Sequence, residues 1–540
     1  PSTPATTLTT TLNIGGVSDD FSVSTVGVVA PAADTTPDAF SFSPQTGVGL
    51  SATVTSNAVT LKGLNSPAVI RISGGLYSVN AGAFVSTAGT VKAGDAVTLQ
   101  VNASAQYGQT VTATLNIGGV TGTFSVTTGS APAVVSGVDL AQILAGQPVD
   151  LAPQASSGTS YGQAMAVQGD VLWMGAPAET SQGQKARGAV HVWQRTAGGA
   201  FQEQGLPLSR GKAGDGFGSR IVLTETQAFV AAPKLDRDAL VDIGQVYVYP
   251  LTGSNQPVQT LAAPQSYPKA AFGTALAQSD NWLAIGAPGV IKDDGRVYLY
   301  AFEQGQWVYR KVLMPIGKGS RFGASVAMSG DWLMVGAPKA QSNPDPKVKL
   351  RNGAVYAYRL HGDDWQAAPA GTLPLPDPDL FRTGELGTEL SLAGDIFAVS
   401  APFASVTTAT GLNRAESGRV FMYSYDAGSQ TWLRGSYLQL NPEHLIRSGA
   451  GFGSTLHLSA EGHSLLVGAP LADQSPDIEG DNQLDVGRVY LYQLRNSGWA
   501  VARDRVGKSK FEQFGRTVLL GPNDIVIGNG KGTVWDYSGP

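Results

Sequence analysis

The densest set of potential metal ligands in the sequence is an acidic stretch near the C-terminus, residues 473–485. Asp477, Glu479 and Asp481 stand at alternate positions, and Asp485 follows shortly after them. Calcium takes about six to eight oxygen ligands, many of them carboxylates, so these four side chains could converge on one Ca²⁺. The alternative is a solvated acidic loop, which is the usual fate of such runs.

Other residues with catalytic potential are better explained by structural roles. Residues 236–242 hold a second, sparser acidic cluster that offers the same two interpretations. Gly158-Thr-Ser160-Tyr-Gly162 matches the nucleophile elbow Gly-x-Ser-x-Gly, but that elbow needs a helix after its serine, and a strand pattern follows here. His191 lies inside a predicted strand, and the histidines lack zinc-ligand spacing. We interpret Ser160 and His191 as structural.

The elements that would position such groups come from an internal repeat. An aromatic-Gly or Leu-Gly pair recurs seven times: Tyr161-Gly162, Phe217-Gly218, Phe272-Gly273, Phe322-Gly323, Leu386-Gly387, Phe452-Gly453 and Phe514-Gly515. Each pair is followed by Gly-Ala-Pro or a degraded version of it, as at Gly175-Ala176-Pro177. A repeat of this length indicates one supersecondary unit copied many times.

Each copy reads as four short strands. In the copy that begins at Phe322, alternating and apolar runs rich in Val, Tyr and Trp are separated by turns that contain Gly, Ser and Asp. Repeated four-stranded units predict a β-propeller, here with seven blades. The last copy lacks a fourth strand, and residues 147–153 resemble the segment that precedes Phe272. We therefore expect residues near 147–153 to close the ring as the outer strand of the final blade.

The combination Phe-Gly, Gly-Ala-Pro and Gly-x-Val-Tyr-x-Tyr resembles the FG-GAP repeat, which occurs in the head of integrin α subunits and in many bacterial surface and secreted proteins. The resemblance covers residues 147–540 and implies an FG-GAP β-propeller of the bacterial type. Many FG-GAP blades bind calcium in an Asp-rich loop between the Phe-Gly and Gly-Ala-Pro strands. The corresponding turns here, such as Gln278-Ser-Asp-Asn281, are too short, so the integrin-type calcium sites are not carried over.

The first 136 residues form a different region, rich in Thr, Ser, Val and Gly and without tryptophan. Thr11-Leu-Asn-Ile-Gly-Gly-Val17 returns as Thr114-Leu-Asn-Ile-Gly-Gly-Val120. Residues 1–27 are therefore predicted to be the closing hairpin of a preceding module, or alternatively a strand donor to a neighbour. Residues 37–128 are predicted to form a β-sandwich that resembles bacterial immunoglobulin-like tandem repeats, with 129–146 as a linker before the propeller at 147–540.

Composition narrows the class of function. The net charge is −5 and only 14% of residues are charged, with no basic stripe, which argues against nucleic-acid binding. The absence of cysteine excludes thiolate metal sites and cysteine catalysis. No apolar run is long enough for a membrane helix. The charge-poor, Thr- and Ser-rich modules favour a secreted or cell-surface bacterial protein.

These features predict an all-β, non-enzymatic adhesion protein, with sandwich modules as a stalk and the propeller as a recognition head. A protein or glycan would bind at the propeller loops, and the N-terminal module could self-associate. The alternatives are a structural subunit of an extracellular filament or surface assembly, and an enzyme that uses the propeller as its scaffold. The sequence offers no repeated or clustered catalytic groups in support of the enzyme.

Overall fold

The computed structural model describes residues 6–26, 32–48, 53–104, 108–129, 139–154, 160–315, 317–341, 352–373, 384–407, 413–426, 430–440, 449–473, 484–496 and 498–538. Nearly all regular structure in these ranges is β-strand. The chain divides into two compact units: residues 1–48, 53–104 and 109–128 make up the first, and the second holds the remainder.

The N-terminal unit contains eleven strands among its described residues. They are β1 (Thr7–Ile14), β2 (Val17–Ser24), β3 (Gln45–Val48), β4 (Thr53–Thr55), β5 (Val59–Thr60), β6 (Ala68–Ser73), β7 (Leu76–Val79), β8 (Gly89–Val91), β9 (Ala96–Asn102), β10 (Thr110–Ile117) and β11 (Val120–Thr128). Within the described residues β1 and β2 pair only with each other, β3-β11-β10-β6-β8 form one sheet, and β4-β9-β5 with β7 form another.

The two larger sheets of this unit each bury alternate residues, as period-two strands with one covered face should. Val97, Leu99 and Val101 of β9 are buried, and so are Leu115 and Ile117 of β10. The predicted strand-rich module is thus observed as two sheets that share a core. Its assignment to the immunoglobulin-like class stays a prediction.

The second unit begins with a short helix, α1 (Leu140–Ala145), inside the segment expected to be a linker. Asp139 caps it by accepting a hydrogen bond from the Ala141 amide, and Ile143 and Leu144 are buried. A second helical segment, α2 (Val290–Asp293), is a single turn with left-handed residues inside it.

Seven four-stranded sheets follow in the described residues, and six of them are contiguous in sequence. The first strand of this unit, β12 (Val149–Asp150), belongs to the last sheet. The strands of the first three sheets are β13 (Ala164–Gln168), β14 (Val171–Ala176), β15 (Ala189–Arg195), β16 (Phe201–Glu203), β17 (Arg220–Leu223), β18 (Gln227–Ala232), β19 (Gln245–Pro250), β20 (Gln259–Leu261), β21 (Ala275–Ser279), β22 (Trp282–Ala287), β23 (Arg296–Glu303) and β24 (Gln306–Leu313).

The remaining four sheets follow the same pattern, with a two-stranded insertion in the fifth. Their strands are β25 (Ser325–Ser329), β26 (Trp332–Ala337), β27 (Ala354–His361), β28 (Asp364–Thr372), β29 (Leu390–Ala393), β30 (Ile396–Ala401), β31 (Val406–Thr407), β32 (Asn413–Arg414), β33 (Arg419–Asp426), β34 (Thr431–Leu438), β35 (Thr455–Leu458), β36 (Ser464–Ala469), β37 (Arg488–Arg495), β38 (Gly498–Val506), β39 (Thr517–Leu520), β40 (Asp524–Gly528) and β41 (Val534–Ser538).

The sheets are arranged as the blades of a propeller-like ring. The first strand of each blade contacts the first strand of the next, and β39 of the last blade contacts β13 of the first. β12 pairs antiparallel with β41 and supplies the fourth strand that the last copy lacks. This pairing lies where the sequence predicted it, and it leaves the last blade without an open outer edge at β41.

The repeated glycines let neighbouring blades approach closely. A Cβ on Gly175 would lie 2.0 Å from the carbonyl oxygen of Gly218 in the next blade. Gly188 has a φ of +89°, and a Cβ there would lie 2.1 Å from the Phe217 carbonyl oxygen. The repeat therefore encodes backbone contacts between blades as well as the strands themselves.

The aromatic residues of these pairs pack in the apolar core between their own blade and the preceding one. Phe217 packs edge-on against Tyr247 with ring centroids 5.5 Å apart, and Phe272 packs in the same way against Tyr298. Both phenylalanines are completely buried. Edge-to-face packing adds to the free energy of burial itself.

Candidate functional site

A cavity of about 510 Å³ lies at the mouth of the central channel, on the face that carries the Gly-Ala-Pro prolines. Its walls are the residues immediately after the aromatic-Gly pairs, where the inner strands begin. We call this cavity the channel mouth. Its principal polar residues are Gln163, Arg220, Glu389, Glu416 and Arg516, and its apolar rim includes Pro233, Pro402, Phe403, Pro470 and Leu471.

An ion pair crosses the channel mouth. The Nη2 atom of Arg220 lies 3.1 Å from the Oε1 atom of Glu389, and the Nε of Arg220 donates to the Thr274 carbonyl oxygen. Arg220 belongs to the second blade and Glu389 lies just before the first strand of the fifth, so the pair joins blades that are not neighbours in the ring. Both side chains are partly exposed to the cavity, at 42% and 25%.

A degraded copy of the repeat positions Glu389. Ser400 stands where most copies have the glycine of Gly-Ala-Pro, and its hydroxyl accepts a hydrogen bond from the Glu389 amide at 2.9 Å. The Cβ atom of Ser400 fits beside the next blade because that blade has a glycine there: a Cβ on Gly453 would lie 3.1 Å from it. The serine that replaces the repeat's glycine therefore fixes the backbone of Glu389.

Four hydroxyl groups of the channel mouth already donate their hydrogen atoms to backbone carbonyl oxygens. The Ser219 hydroxyl donates to the Gly216 carbonyl at 2.6 Å, and Thr274, Thr388 and Ser454 donate in the same way three residues back. Each of these oxygens is left with acceptor capacity only. A molecule that enters the mouth is therefore recognised there best if it donates hydrogen bonds.

Arg516 and Gln163 break this hydroxyl pattern. They occupy the equivalent position in the last and first blades, which adjoin at the ring closure. Among the described residues, no hydrogen bond or ion pair engages the Arg516 guanidinium. It therefore offers five unused donors to a carbonyl or carboxylate group.

The sequence analysis did not identify Arg220, Glu389 and Arg516. The signal was present in the aligned copies, because the position after aromatic-Gly is Ser or Thr in four of them and the next position is small in most. Long charged side chains at those two positions are departures from the repeat.

The structure places the predicted calcium residues only in part. Asp477, Glu479 and Asp481 lie outside the described residues, and Asp485 is described. The amide of Asp485 donates to Asp473 Oδ1 at 3.0 Å, and burial followed by the charge of Asp473 raises the pKa of Asp485. Calcium at residues 473–485 stays a prediction, which calorimetric titration of Ca²⁺ into the full chain tests.

The second acidic cluster is organised as a turn. The amide of Asp242 donates to Asp236 Oδ1 at 2.7 Å, which repeats the Asp485–Asp473 arrangement. In the part of the chain that the structure describes, no three histidine or acidic side chains are grouped so that they could hold a metal ion. The carboxylate of Asp236 therefore serves as a backbone acceptor in this loop.

Ser160 and His191, which were interpreted as structural from the sequence, are both buried and hydrogen-bonded. Ser160 is 4% exposed, and its hydroxyl accepts from the Ala178 amide at 2.7 Å. His191 is completely buried between Glu203 on Nδ1, at 2.6 Å, and Glu179 on Nε2, at 2.9 Å. It occupies the strand position that holds Tyr247 in the next blade and packs edge-on against Tyr161.

Comparison with known proteins gives one family match and several similar folds. Residues 317–358 match the FG-GAP repeat. No curated protein matches the sequence. The fold is similar to a periplasmic gluconolactonase from Pseudomonas aeruginosa, with 14% identity, a TM-score of 0.43, and coverage of 69% of this chain and 88% of that one.

Two further solved structures are similar to the same extent. A candidate 6-phosphogluconolactonase from Bacteroides fragilis has 10% identity and a TM-score of 0.40, covering 64% of this chain and 85% of its own. A protein from Lactobacillus plantarum has 12% identity and a TM-score of 0.41, covering 66% and 87%. At these values the likeness extends to the fold and assigns neither a reaction nor a substrate to this chain.

The comparisons correct two expectations from the sequence. The chain was expected to be a non-enzymatic adhesion protein or a structural subunit, and both expectations are wrong: the similar structures whose names give an activity are lactonases. Sequence reasoning gave its weight to the variable outer loops and overlooked the charged groups of the channel mouth. Within the described residues, no helix is long and apolar enough to cross a membrane.

Proposed function

We propose that the channel mouth is the active site of a hydrolase that acts on a small, hydroxyl-rich lactone or ester. The observation that carries the proposal is the Arg220–Glu389 pair, which crosses the cavity that the unpartnered Arg516 also lines. The cavity of about 510 Å³ is within the usual range for small-molecule sites.

The substrate class follows from the walls of the cavity. The hydroxyl oxygens of Ser219, Thr274, Thr388 and Ser454 accept hydrogen bonds, so the substrate should carry several hydroxyl donors. The ring of Phe403 is 41% exposed at the rim and offers an apolar face to a sugar-like ring. The arginine and glutamate charges of the mouth balance formally, which suits a neutral substrate.

The chemistry is water addition to a carbonyl group. Glu389 accepts a proton from water as the water oxygen bonds to the carbonyl carbon. The carbonyl oxygen then carries a negative charge, which the guanidinium of Arg516 stabilises. When the C–O bond breaks, the leaving oxygen takes the proton back from Glu389. The product is a hydroxy acid from a lactone, or an acid and an alcohol from an ester.

Arg220 acts as a positioning residue in this scheme. Its bond to Oε1 of Glu389 holds the carboxylate across the axis, and its second bond, to the Thr274 carbonyl, fixes the guanidinium itself. In the described residues Oε2 of Glu389 receives no hydrogen bond, so it is available to a water molecule.

The test is a pH-stat assay of proton release from glucono-δ-lactone and from an uncharged aryl ester, with calorimetry of gluconate binding in parallel. Glu389→Gln should lower kcat by about a hundredfold or more, as removal of a general base does. Arg503→Ala, an exposed arginine on the outer strand of the sixth blade, is the control and should leave kcat unchanged. If gluconate binds but neither compound is hydrolysed, the proposed reaction is refuted. If gluconate does not bind and neither compound is hydrolysed, the proposed site is refuted.

Other expectations from the sequence remain predictions. These are a protein or glycan ligand at the outer loops, self-association through the N-terminal unit, and an extracellular or cell-surface location.

A further inference from the structure

The β1–β2 hairpin exposes an apolar face that the described residues leave uncovered. Leu8, Leu12 and Ile14 of β1 lie on the same face as Val17, Phe21 and Val23 of β2, because the register pairs Leu8 with Val23 and Ile14 with Val17. These six side chains are exposed by 46–76%. Thr10 and Asp19 also lie on this face, and a group of exposed apolar side chains of this size marks an interaction site.

The chain contains an internal twin of this hairpin in which the same face is buried. β10 and β11 repeat β1 and β2 residue by residue, and Leu115, Ile117, Phe124 and Val126 correspond to Leu12, Ile14, Phe21 and Val23. All four twin residues are 0% exposed. The opposite faces are also alike, since Thr9 pairs with Ser22 as Thr112 pairs with Ser125.

The twin shows what kind of structure covers such a hairpin. The outer edge of β10 pairs antiparallel with β6, through Thr114–Ile117 and Ile70–Ser73. The outer edge of β11 pairs parallel with β3, and β9 of the second sheet contacts the inner face. In β1 and β2 the corresponding edges have no partner strand within the described residues.

One sequence difference disfavours a second copy of this chain that exchanges its β10–β11 hairpin for β1–β2. Gly122 of the twin lies under the ring of Phe40, and a Cβ at that position would come within 2.5 Å of the ring. The corresponding residue of the hairpin is Asp19, which faces Leu12 on the apolar side. In the place of Gly122, Asp19 would crowd the Phe40 ring and bring a carboxylate to a buried position, which disfavours exchange of the two hairpins between copies.

We propose that the β1–β2 hairpin docks into a partner β-sheet module that lacks its own closing hairpin. The partner offers an antiparallel strand to the edge of β1 and an apolar inner face to the six exposed side chains. Opposite Asp19 it carries a small or cationic residue in the place that Phe40 takes in this chain.

The experiment uses the full chain and a fluorescent peptide with the sequence of residues 66–74, which contains β6. The peptide mimics the strand that such a partner would supply, and the edge of β10 is already occupied in the chain. Fluorescence anisotropy should rise with added protein. Leu12→Lys, on the apolar face, should weaken binding by about tenfold or more.

Thr9→Lys is the matched control, since it adds the same charge to the polar face of the same strand and should leave affinity unchanged. Leu12 and Thr9 are both exposed, so neither variant should disturb folding, and thermal melts check this. No anisotropy change with the wild-type chain, or equal loss in both variants, would overturn the proposal. A concentration-dependent dimer in sedimentation that Leu12→Lys abolishes would also overturn it, because a second copy would then be the occupant.

Discussion

Arg195 in the first blade donates a hydrogen bond to Asp524 in the last blade, with 2.5 Å between Nη2 and Oδ2. Asp524 is nearly buried, and its side chain is 6% exposed against 16% for Arg195. The two residues stand at opposite ends of the repeat region and meet only because the ring closes. This ion pair ties the closure together in addition to the pairing of β12 with β41.

Asp524→Asn should therefore lower the free energy of unfolding by about 3 kcal/mol, because the largely buried Arg195 guanidinium would lose its buried counter-charge. Urea unfolding followed by tryptophan fluorescence measures the change. The control is Asp170→Asn, which removes a carboxylate 3.6 Å from the same arginine but 69% exposed. That variant should cost less than about 1 kcal/mol. Equal effects would show that the closure does not depend on the buried pair.

The buried His191 should make stability depend on pH. Burial alone would lower its pKa, but the hydrogen bonds that the protonated ring donates to Glu179 and Glu203, and the charges of these carboxylates, outweigh burial and raise it. Because the pKa of His191 is higher in the folded state, its protonation stabilises the fold. This stabilisation is fully present below the pKa of the unfolded state, about 6.5, and is lost as the pH rises through the pKa of the folded state.

The measurement compares wild type with His191→Gln by urea unfolding between about pH 5 and pH 9. The difference in unfolding free energy should be largest at the acidic end and should shrink toward the alkaline end. A difference that stays constant over this range would mean that His191 remains in one protonation state throughout.

The glycine of Gly-Ala-Pro should be required for blade packing. Gly175→Ala places a methyl group against the backbone carbonyl of Gly218, which cannot move without shifting the next blade. The expected cost is about 2 kcal/mol or more in unfolding free energy, as for other overpacked sites. Gly198→Ala is the control, since its nearest neighbour is a side-chain oxygen at 3.8 Å. Differential scanning calorimetry should show a lower Tm for the first variant only.

Ser400→Gly tests the positioning of Glu389. The change restores the repeat's glycine and removes the hydroxyl that accepts from the Glu389 amide. In the lactone and ester assay we expect kcat to fall by about tenfold while the Tm stays close to wild type. Loss of activity together with a large loss of Tm would assign Ser400 to folding instead.

Sequence reasoning succeeded where the determinants are local or repeated. Strand alternation, turn residues and the aromatic-Gly pairs predicted four-stranded units, and the missing last strand predicted the pairing near 147–153 that β12 makes. Ser160 and His191 were interpreted as structural because Ser160 directly precedes the first aromatic-Gly pair and His191 lies inside a strand pattern. These signals survive in a single sequence since each copy must satisfy the same backbone contacts.

The candidate site depends on contacts that no local pattern contains. Arg220 and Glu389 come from blades that are not neighbours, and only the ring brings them together across the axis. The two glutamates that flank His191 are likewise visible only once their strand and loop are folded. The sequence by itself determined the repeated blades and the twin hairpins. Only the tertiary structure decided which departures from the repeat meet in one cavity and which of the two hairpins is buried, because both depend on the long-range closure of sheets.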